Sequence, residues 1–268
     1  MAHLSARADA AYQNDYHHKL RGRLWEGLDN TKYDDRHDDG EPPGFSYSNP
    51  FPPYDMEEGD DRKLLVASPE EELIADVAAD LLEKPELNIG EMPFHVDDVS
   101  SVEPDVGEPG TRGTIETGTG LLVRIPPCRC EEYGIDHPGG DTTVFWRPEH
   151  SMEPLRTQLE DNLDQKHDRF AHDHLPGPSE VDGDLVDGYE LIKTFAVPVT
   201  VTEGQEMTYV LSKWKLSYRV QDDHHRRHLN LALDCGLGER NSLGLGFVNI
   251  TDKTPPGENG LEGRDAFA

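Results

Sequence analysis

The spacing of apolar residues alternates between helical and strand periods in one order, and that order occurs twice; nothing else in the chain constrains its fold as strongly. In the first half, a short strand is predicted at His3–Arg7. A helix follows at Tyr16–Leu28, where Leu20, Leu24 and Leu28 recur every fourth residue. Residues 29–44 are polar and rich in turn formers, which predicts a loop. Strands are expected at Phe45–Ser48 and Lys63–Ala67. Ser68-Pro69-Glu70-Glu71 reads as a capping box with proline at the first helical position. It opens a helix with an apolar stripe of Leu73, Ile74, Val77, Ala78, Leu81 and Leu82, ended before Pro85. Weak alternation over residues 92–102 supplies a last strand.

The second half follows residues 103–120, whose glycine, threonine and proline read as a boundary. Leu121–Ile125 is a predicted strand, and Ser151–Phe170 a helix carrying Leu155, Leu159 and Leu163. A long hairpin turns at Glu203-Gly204-Gln205. Leu191, Phe195, Val197, Val199 and Val201 share one face of its first strand; Val210, Trp214, Leu216, Tyr218 and Val220 share one face of its second. A helix at Asp223–Cys235 and a strand at Phe247–Ile250 complete the half. Both halves therefore read βαββαβ, without sequence self-similarity between them. The expected class is α+β, with two tandem ferredoxin-like domains at residues 1–105 and 106–251 and a disordered tail at 252–268.

Composition bears on the solvent. The chain has 25 Lys and Arg against 54 Asp and Glu, a net charge of −29 over 268 residues. Such an excess ordinarily indicates disorder or repulsion of nucleic acid, but periodic apolar segments run through most of the chain. A halophile explains both: at molar salt the Debye length falls to roughly 3 Å, and carboxylate self-repulsion is largely screened. Net charge is then a poor argument against RNA binding. Cys128, Cys130 and Cys235 are too few and too unevenly placed for a disulfide framework. Without an apolar run of membrane-spanning length or a secretory signal pattern, a soluble cytoplasmic protein with no membrane partner is expected.

The segment from Cys235 to Phe247 carries Gly236, Gly238, Gly244 and Gly246 in a symmetric GxG…GxG arrangement. Glycine lets backbone N–H groups converge on an anion and lets a ligand approach the main chain. The plainer reading is a helix C-cap at Gly236 followed by a tight turn. Nucleotide-binding glycine loops run from strand to helix, whereas here the helix precedes and the strand follows. A glycine-rich loop in that position of a second ferredoxin-like domain resembles the signature of the RAMP superfamily. GLGERNSLGLGF, with Arg240 inside it, is similar to that of the CRISPR-associated repeat endoribonucleases, and YHHKLRGRLW followed by GFSYSNPFP resembles their haloarchaeal branch.

The resemblance implies metal-independent cleavage of CRISPR precursor RNA within its repeat, releasing guide RNA for interference-complex subunits, with no cofactor. Metal-free scission needs proton transfers at the 2′-hydroxyl and the leaving 5′-oxygen, which suit histidine. By the family pattern the catalytic histidine is His37, in the loop after the first helix. Its neighbours Asp34, Asp35, Asp38 and Asp39 favour its charged form; a solvated surface role, or a cation held by Asp35, His37 and Asp39, are the other readings. Many members add a tyrosine and a lysine, but no lysine lies between Lys32 and Lys63. Arg36 is a candidate phosphate holder, and Tyr33 and Ser46 candidate assistants. RNA contacts are expected from Lys19, Arg21, Arg23, Lys213, Lys215, Arg226, Arg227, Arg240 and the four glycines, though helix and hairpin interiors often lack acids anyway. His224, His225 and His228 read as a polar helix face, and Cys128-Arg129-Cys130 as no metal site. The rival to the enzyme is a RAMP subunit that binds guide RNA without cutting it. A metal-dependent nuclease is a further alternative.

Overall fold

The computed structural model describes residues 1–13, 16–34, 36, 44–140, 142–171, 183–202 and 205–257. The first half contains β1 (Ala2–Ala6), α1 (His17–Glu26), β2 (Ser46–Tyr47), β3 (Asp61–Leu64), β4 (Val66–Ala67), α2 (Glu71–Glu83), β5 (Glu86–Ile89) and β6 (Met92–Val99). β1 lies between β3 and β6, antiparallel to both. β2 pairs with β4, the continuation of β3, and a bridge between Phe51 and Lys63 extends that pairing. These strands give the ferredoxin-like arrangement, to which β5 adds an edge strand paired with β6. The leucines of the predicted first helix are all core residues: Leu20 and Leu24 of α1, with Leu28 in the turn beyond its end, cluster with Leu73, Val77 and Leu81 of α2 and with Leu4, Phe94 and Val96 of the sheet.

Arg23 joins the two helices through an ion pair with Asp80 and a hydrogen bond to Lys84 O at 3.0 Å. The paired side chains are only 11% and 12% exposed. Burial opposes the Asp80 charge, but Lys84 and Arg23 outweigh it and hold its pKa below the ordinary 3.8. This contribution to stability is thus present above that value and lost as pH falls below it. Asp80→Ala leaves the guanidinium without its carboxylate and is expected to cost about 3 kcal/mol. Thermal melting in molar KCl should register that as a fall of about 6–12 °C.

The second half contains β7 (Arg112–Thr117), β8 (Arg124–Ile125), α3 (Pro127–Cys130), β9 (Val144–Phe145), α4 (Glu153–Lys166), β10 (Gly188–Thr202), β11 (Gln205–Arg219), α5 (Asp223–Cys235) and β12 (Val248–Thr254). Its sheet order is β10-β11-β7-β12, the ferredoxin-like order without an addition. One face packs Ile115, Trp214, Leu216 and Tyr218 against Leu155, Leu159 and Leu163 of α4 and Leu229 and Leu233 of α5. The other face buries Val199, Tyr209 and Leu211 with Leu122, Leu243 and Leu245. Among the described residues, no helix is long and apolar enough to cross a membrane.

Several local expectations need correction. The first strand of the second sheet is Arg112–Thr117, inside the segment read as a boundary; its glycine and threonines conceal a strand that buries Ile115 and Thr117. Leu121 only bridges Ser212, and Arg124–Ile125 forms a ribbon with β9. A register shift between Leu191 and Lys193 places Leu191 opposite Trp214 and Phe195 opposite Leu211. That bulge puts the two on different faces, because one extra residue inverts strand alternation. Ser68 Oγ accepts the Glu70 N–H at 3.1 Å, and the helix starts at Glu71, so the box expected to open it at Pro69 does not form. α4 ends at Lys166 and gives way to a π-helical turn at His167–Ala171. β12 continues to Thr254, taking three residues assigned to the tail; residues 258–268 lie outside the described residues.

Candidate functional site

The connection from α5 to β12 is the glycine-rich segment, and it is tightly braced. Asn241 Nδ2 donates to Leu237 O at 3.0 Å and to Leu245 O at 2.9 Å, closing the loop on itself. The N–H groups of Leu237, Glu239, Gly244 and Gly246 donate to Gly246 O, Leu122 O, Asn241 O and Gly120 O. These amides hold the loop's shape, so the expected convergence of its N–H groups on an anion does not include them. Gly236, Gly238, Gly244 and Gly246 all have positive φ, as does Arg240 at 59°. A Cβ at Gly244 would stand 2.5 Å from the Tyr47 ring, so glycine here is a condition for contact between the halves.

That contact involves the main chains of both halves. His17 Nδ1 lies 2.6 Å from Leu243 O, and the Tyr47 hydroxyl donates to His17 O at 3.1 Å. Ser46 Oγ donates to Asp234 O at 3.0 Å. α1 and β2 thus form a wall against the glycine loop, and a cleft of about 450 Å³ opens beside it. Its cationic lining comprises Arg21 of α1, Arg124, Lys166 at the end of α4, Arg169 and Arg240. Among the described residues one acid, Glu239, lines it, and that acid is ion-paired with Arg124. In a chain with 54 acids and 25 bases, the described lining of the cleft reverses the overall sign. Burial lowers the pKa of Arg21 first of all; Tyr47 opposes this, and the charge of Arg240 adds a smaller lowering. Two guanidiniums from separate halves thus line one cleft, an arrangement suited to an anion. Cys235 also lines the cleft, but burial pushes its thiol up to about 12, which removes it as a nucleophile.

Lys166 lies beneath the loop. Its Nζ donates to Gly236 O and Gly238 O, each at 2.8 Å. Burial lowers its pKa to about 8, with Cys235 and Glu239 acting in the opposite direction. The ammonium is charged below that pH and neutral above it. RNA affinity is expected to fall from pH 7 to pH 9 by about fivefold more in the native protein than in Lys166→Met. That corresponds to ~1 kcal/mol, the attraction between two charges about 4 Å apart in water. Fold stability has the opposite sign: with the folded pKa below the ordinary 10.5, stability rises as pH passes from about 8 to 10.5. Filter-binding titrations at several pH values, beside denaturation at the same values, separate the two.

The sequence candidates are placed unequally. His37, Asp35, Asp38 and Asp39 lie outside the described residues. Arg36, beside that segment, is described and bonds Glu70 through both terminal guanidinium nitrogens, at 2.5 and 3.0 Å. A Cβ on Gly44 would lie 3.2 Å from the same Glu70 carboxylate, and Gly44 lines the cleft. Arg36 is therefore engaged by Glu70 rather than presented to a phosphate. Tyr33 is a core residue, 1% exposed, with the Arg36 guanidinium 4.8 Å from its ring centre. Ser46 is fully buried and spends its hydroxyl on Asp234 O. Arg23 is committed to Asp80, and Arg226 to Asp105, whose pKa that bond, ahead of the opposing effect of burial, lowers to about 2. Lys213 donates to Gly118 O at 2.8 Å, and Arg227 lies 3.0 Å from His224 Nδ1. Lys19 and Lys215 are exposed, outside the cleft lining.

Sequence reasoning missed Lys166, Arg169, Arg124 and the bracing role of Asn241. Lys166 and Arg169 sit at the C-terminal end of a helix, where a basic residue is ordinary; only the fold brings that end beneath the loop. The histidines of α5 are packed: His225 Nε2 lies 2.9 Å from Leu185 O, and His228 stacks on His167 with ring centres 4.7 Å apart. Among the described residues, no group of three or more His, Cys, Asp or Glu is arranged to hold a metal ion.

Tandem ferredoxin-like units, with a glycine-rich loop leading from the last helix to the last strand, define a protein of the RAMP class. The family model described as CRISPR associated protein Cas6, C-terminal, matches residues 109–250. A CRISPR-associated endoribonuclease Cas6 from Haloferax mediterranei is 54% identical over 268 residues, covering 100% of this chain and 99% of the relative. A CRISPR-associated endoribonuclease Cas6 2 from Methanocaldococcus jannaschii is 25% identical, covering 92% of this chain and 96% of that one. A solved structure of a CRISPR associated protein Cas6 superposes with a TM-score of 0.66 at 17% identity, covering 93% of this chain and 97% of its own. Another, described as an RAMP protein binding different RNA substrates, gives 0.62 at 17% identity over 93% and 99% of the two chains. The chain belongs to the Cas6 family of CRISPR-associated endoribonucleases. Its −29 charge accords with the Haloferax source of its relative and a halophilic setting.

Proposed function

We propose that the protein binds CRISPR precursor RNA at the glycine-loop cleft and cuts it within the repeat, without a metal ion, releasing guide RNA in the cytoplasm. The observation that carries this reading is that Arg21 and Arg240, from separate halves, line one cation-rich cleft in a strongly acidic chain. A phosphodiester seated there has its charge met from two sides, and a charge developing at phosphorus in the transition state is met more strongly still.

In the proposed reaction the 2′-hydroxyl loses its proton to a base and attacks the adjacent phosphorus. The bond to the 5′-oxygen breaks, and that oxygen takes a proton from an acid. The products are a 2′,3′-cyclic phosphate and a 5′-hydroxyl. His37 is the proposed acid. The support is its resemblance to the family's loop histidine and the position of Gly44, seven residues on, in the cleft wall. Tyr33, Arg36 and Ser46 are not retained as participants, because each is buried or engaged as described above. The base is left to a residue or water in the cleft. Delivery of the guide RNA to interference-complex subunits belongs to the same reading, as does the division into residues 1–105 and a second unit from 106.

Arg21→Ala combined with Arg240→Ala tests the binding. In molar KCl the double variant is expected to bind repeat RNA at least about tenfold more weakly, since hydrogen bonds to charged groups contribute about 1.5–3 kcal/mol each. The slope of log affinity against log salt should fall by about 0.7, the value for one single-strand phosphate that is no longer neutralised. Unchanged affinity and slope would move the RNA away from this cleft.

A further inference from the structure

A second cavity, of about 550 Å³, adjoins the glycine-loop cleft, and Arg124, Asn162, Gln165 and Glu239 line both. One wall of it is a single face of α4, where Gln158, Asn162 and Gln165 recur at i, i+4 and i+7. Thr142 and Thr143, leading into β9, contribute to the lining. The acids of the same helix line neither cavity: Asp161 is paired with Arg129, and Glu160 accepts the Leu185 N–H at 3.4 Å. Glu239, at the junction, is held by Arg124. The result is a neutral amide stripe about 10 Å long, continuous with a cationic cleft.

Gln158 is only 7% exposed, yet it lines the cavity. Among the described residues, neither it nor Asn162 nor Gln165 has a side-chain hydrogen-bond partner. Gln158 is buried, Asn162 half-buried and Gln165 exposed, so the stripe runs from the cavity out to solvent with its donors and acceptors open to a partner that supplies both. A primary amide offers two N–H donors and an acceptor oxygen, the complement of a nucleobase edge. Solvent conditions favour the same choice. Phosphate contacts weaken steeply with salt, whereas neutral hydrogen bonds are not screened in that way. A protein working at molar salt reads sequence more securely with amides than with lysines.

We infer that this face of α4 is a base-reading subsite: Gln158, Asn162 and Gln165 hydrogen-bond the edges of unpaired bases in the RNA strand whose phosphate sits at the glycine loop. The inference rests on the assignment of that cleft to RNA. It is tested by measuring affinity for the cognate repeat and for a panel of single-base repeat variants in molar KCl. The proteins compared are the native chain, Asn162→Ala/Gln165→Ala, and the isosteric Gln165→Glu, each with melting checked. The alanine variant is expected to bind the cognate repeat about tenfold more weakly while binding one or two panel members no worse than the native protein does, with an unchanged salt slope. Gln165→Glu should shift preference at one position toward a base presenting an amino group. Equal weakening across the whole panel, a changed salt slope, or unchanged affinity for the cognate repeat would overturn the inference while leaving the cleft assignment intact. Failure of the native protein to bind any repeat RNA would overturn both.

Discussion

Gly246→Ala is expected to lower cleavage of repeat RNA at least 100-fold and to destabilise the fold by about 3–5 kcal/mol, the range of severe single substitutions. A Cβ at this position would lie 1.9 Å from Leu237 O, and φ is +69°. The left-handed backbone costs an L-residue roughly 1–2 kcal/mol by itself; the collision adds more. Relief requires moving Leu237, whose N–H donates to Gly246 O, or breaking the Gly246 N–H bond to Gly120 O. Either shift displaces Gly236 and Gly238, whose carbonyls anchor Lys166. The cleft therefore loses its shape together with the loop. Gly22→Ala is the internal comparison: it lies in α1 with nothing within 4 Å of an added Cβ. Alanine there should leave stability unchanged or raise it by about 0.5–1 kcal/mol. Denaturation in molar KCl and cleavage under saturating RNA check both variants.

The fold is legible where one periodicity runs uninterrupted. The leucines of α1, the stripe of α2 and the limits of α5 all follow from spacing that a single buried face enforces. Arg112–Thr117 is hidden because three of its residues are glycine or threonine, whose strand signal resembles that of a loop. The bulge at Ile192 leaves no trace, since a one-residue insertion depends on pairing with a partner strand. The site is legible in part for the same reason. Arg240 and the four glycines announce themselves within one short motif. Arg23, Arg226 and Arg36 look identical to Arg21 in sequence, because a basic residue does not reveal which carboxylate will neutralise it. Asp80, Asp105 and Glu70 stand 57, 121 and 34 residues from their partners. The amides of α4 give no signal at all, as only the fold sets Gln158, Asn162 and Gln165 along one cavity.

His37→Ala carries the largest expected catalytic effect. Protonation of a departing 5′-oxygen by a positioned acid is worth about 10²–10⁴ in rate, so cutting should fall by at least that lower figure. Affinity for the uncut repeat should change less than about threefold, because Arg21, Arg124, Lys166, Arg169 and Arg240 remain in the cleft. Imidazole added to the variant is expected to restore part of the rate, as it returns a proton donor without a side chain. The most direct measurement is cleavage of an end-labelled repeat RNA in molar KCl with excess EDTA, for the native protein and His37→Ala, with binding followed in parallel. The native protein is predicted to cut at one position in the repeat and leave a 5′-hydroxyl, while the variant binds and does not cut. Cutting that stops with EDTA, or a variant that cuts at the native rate, would contradict metal-free catalysis by His37.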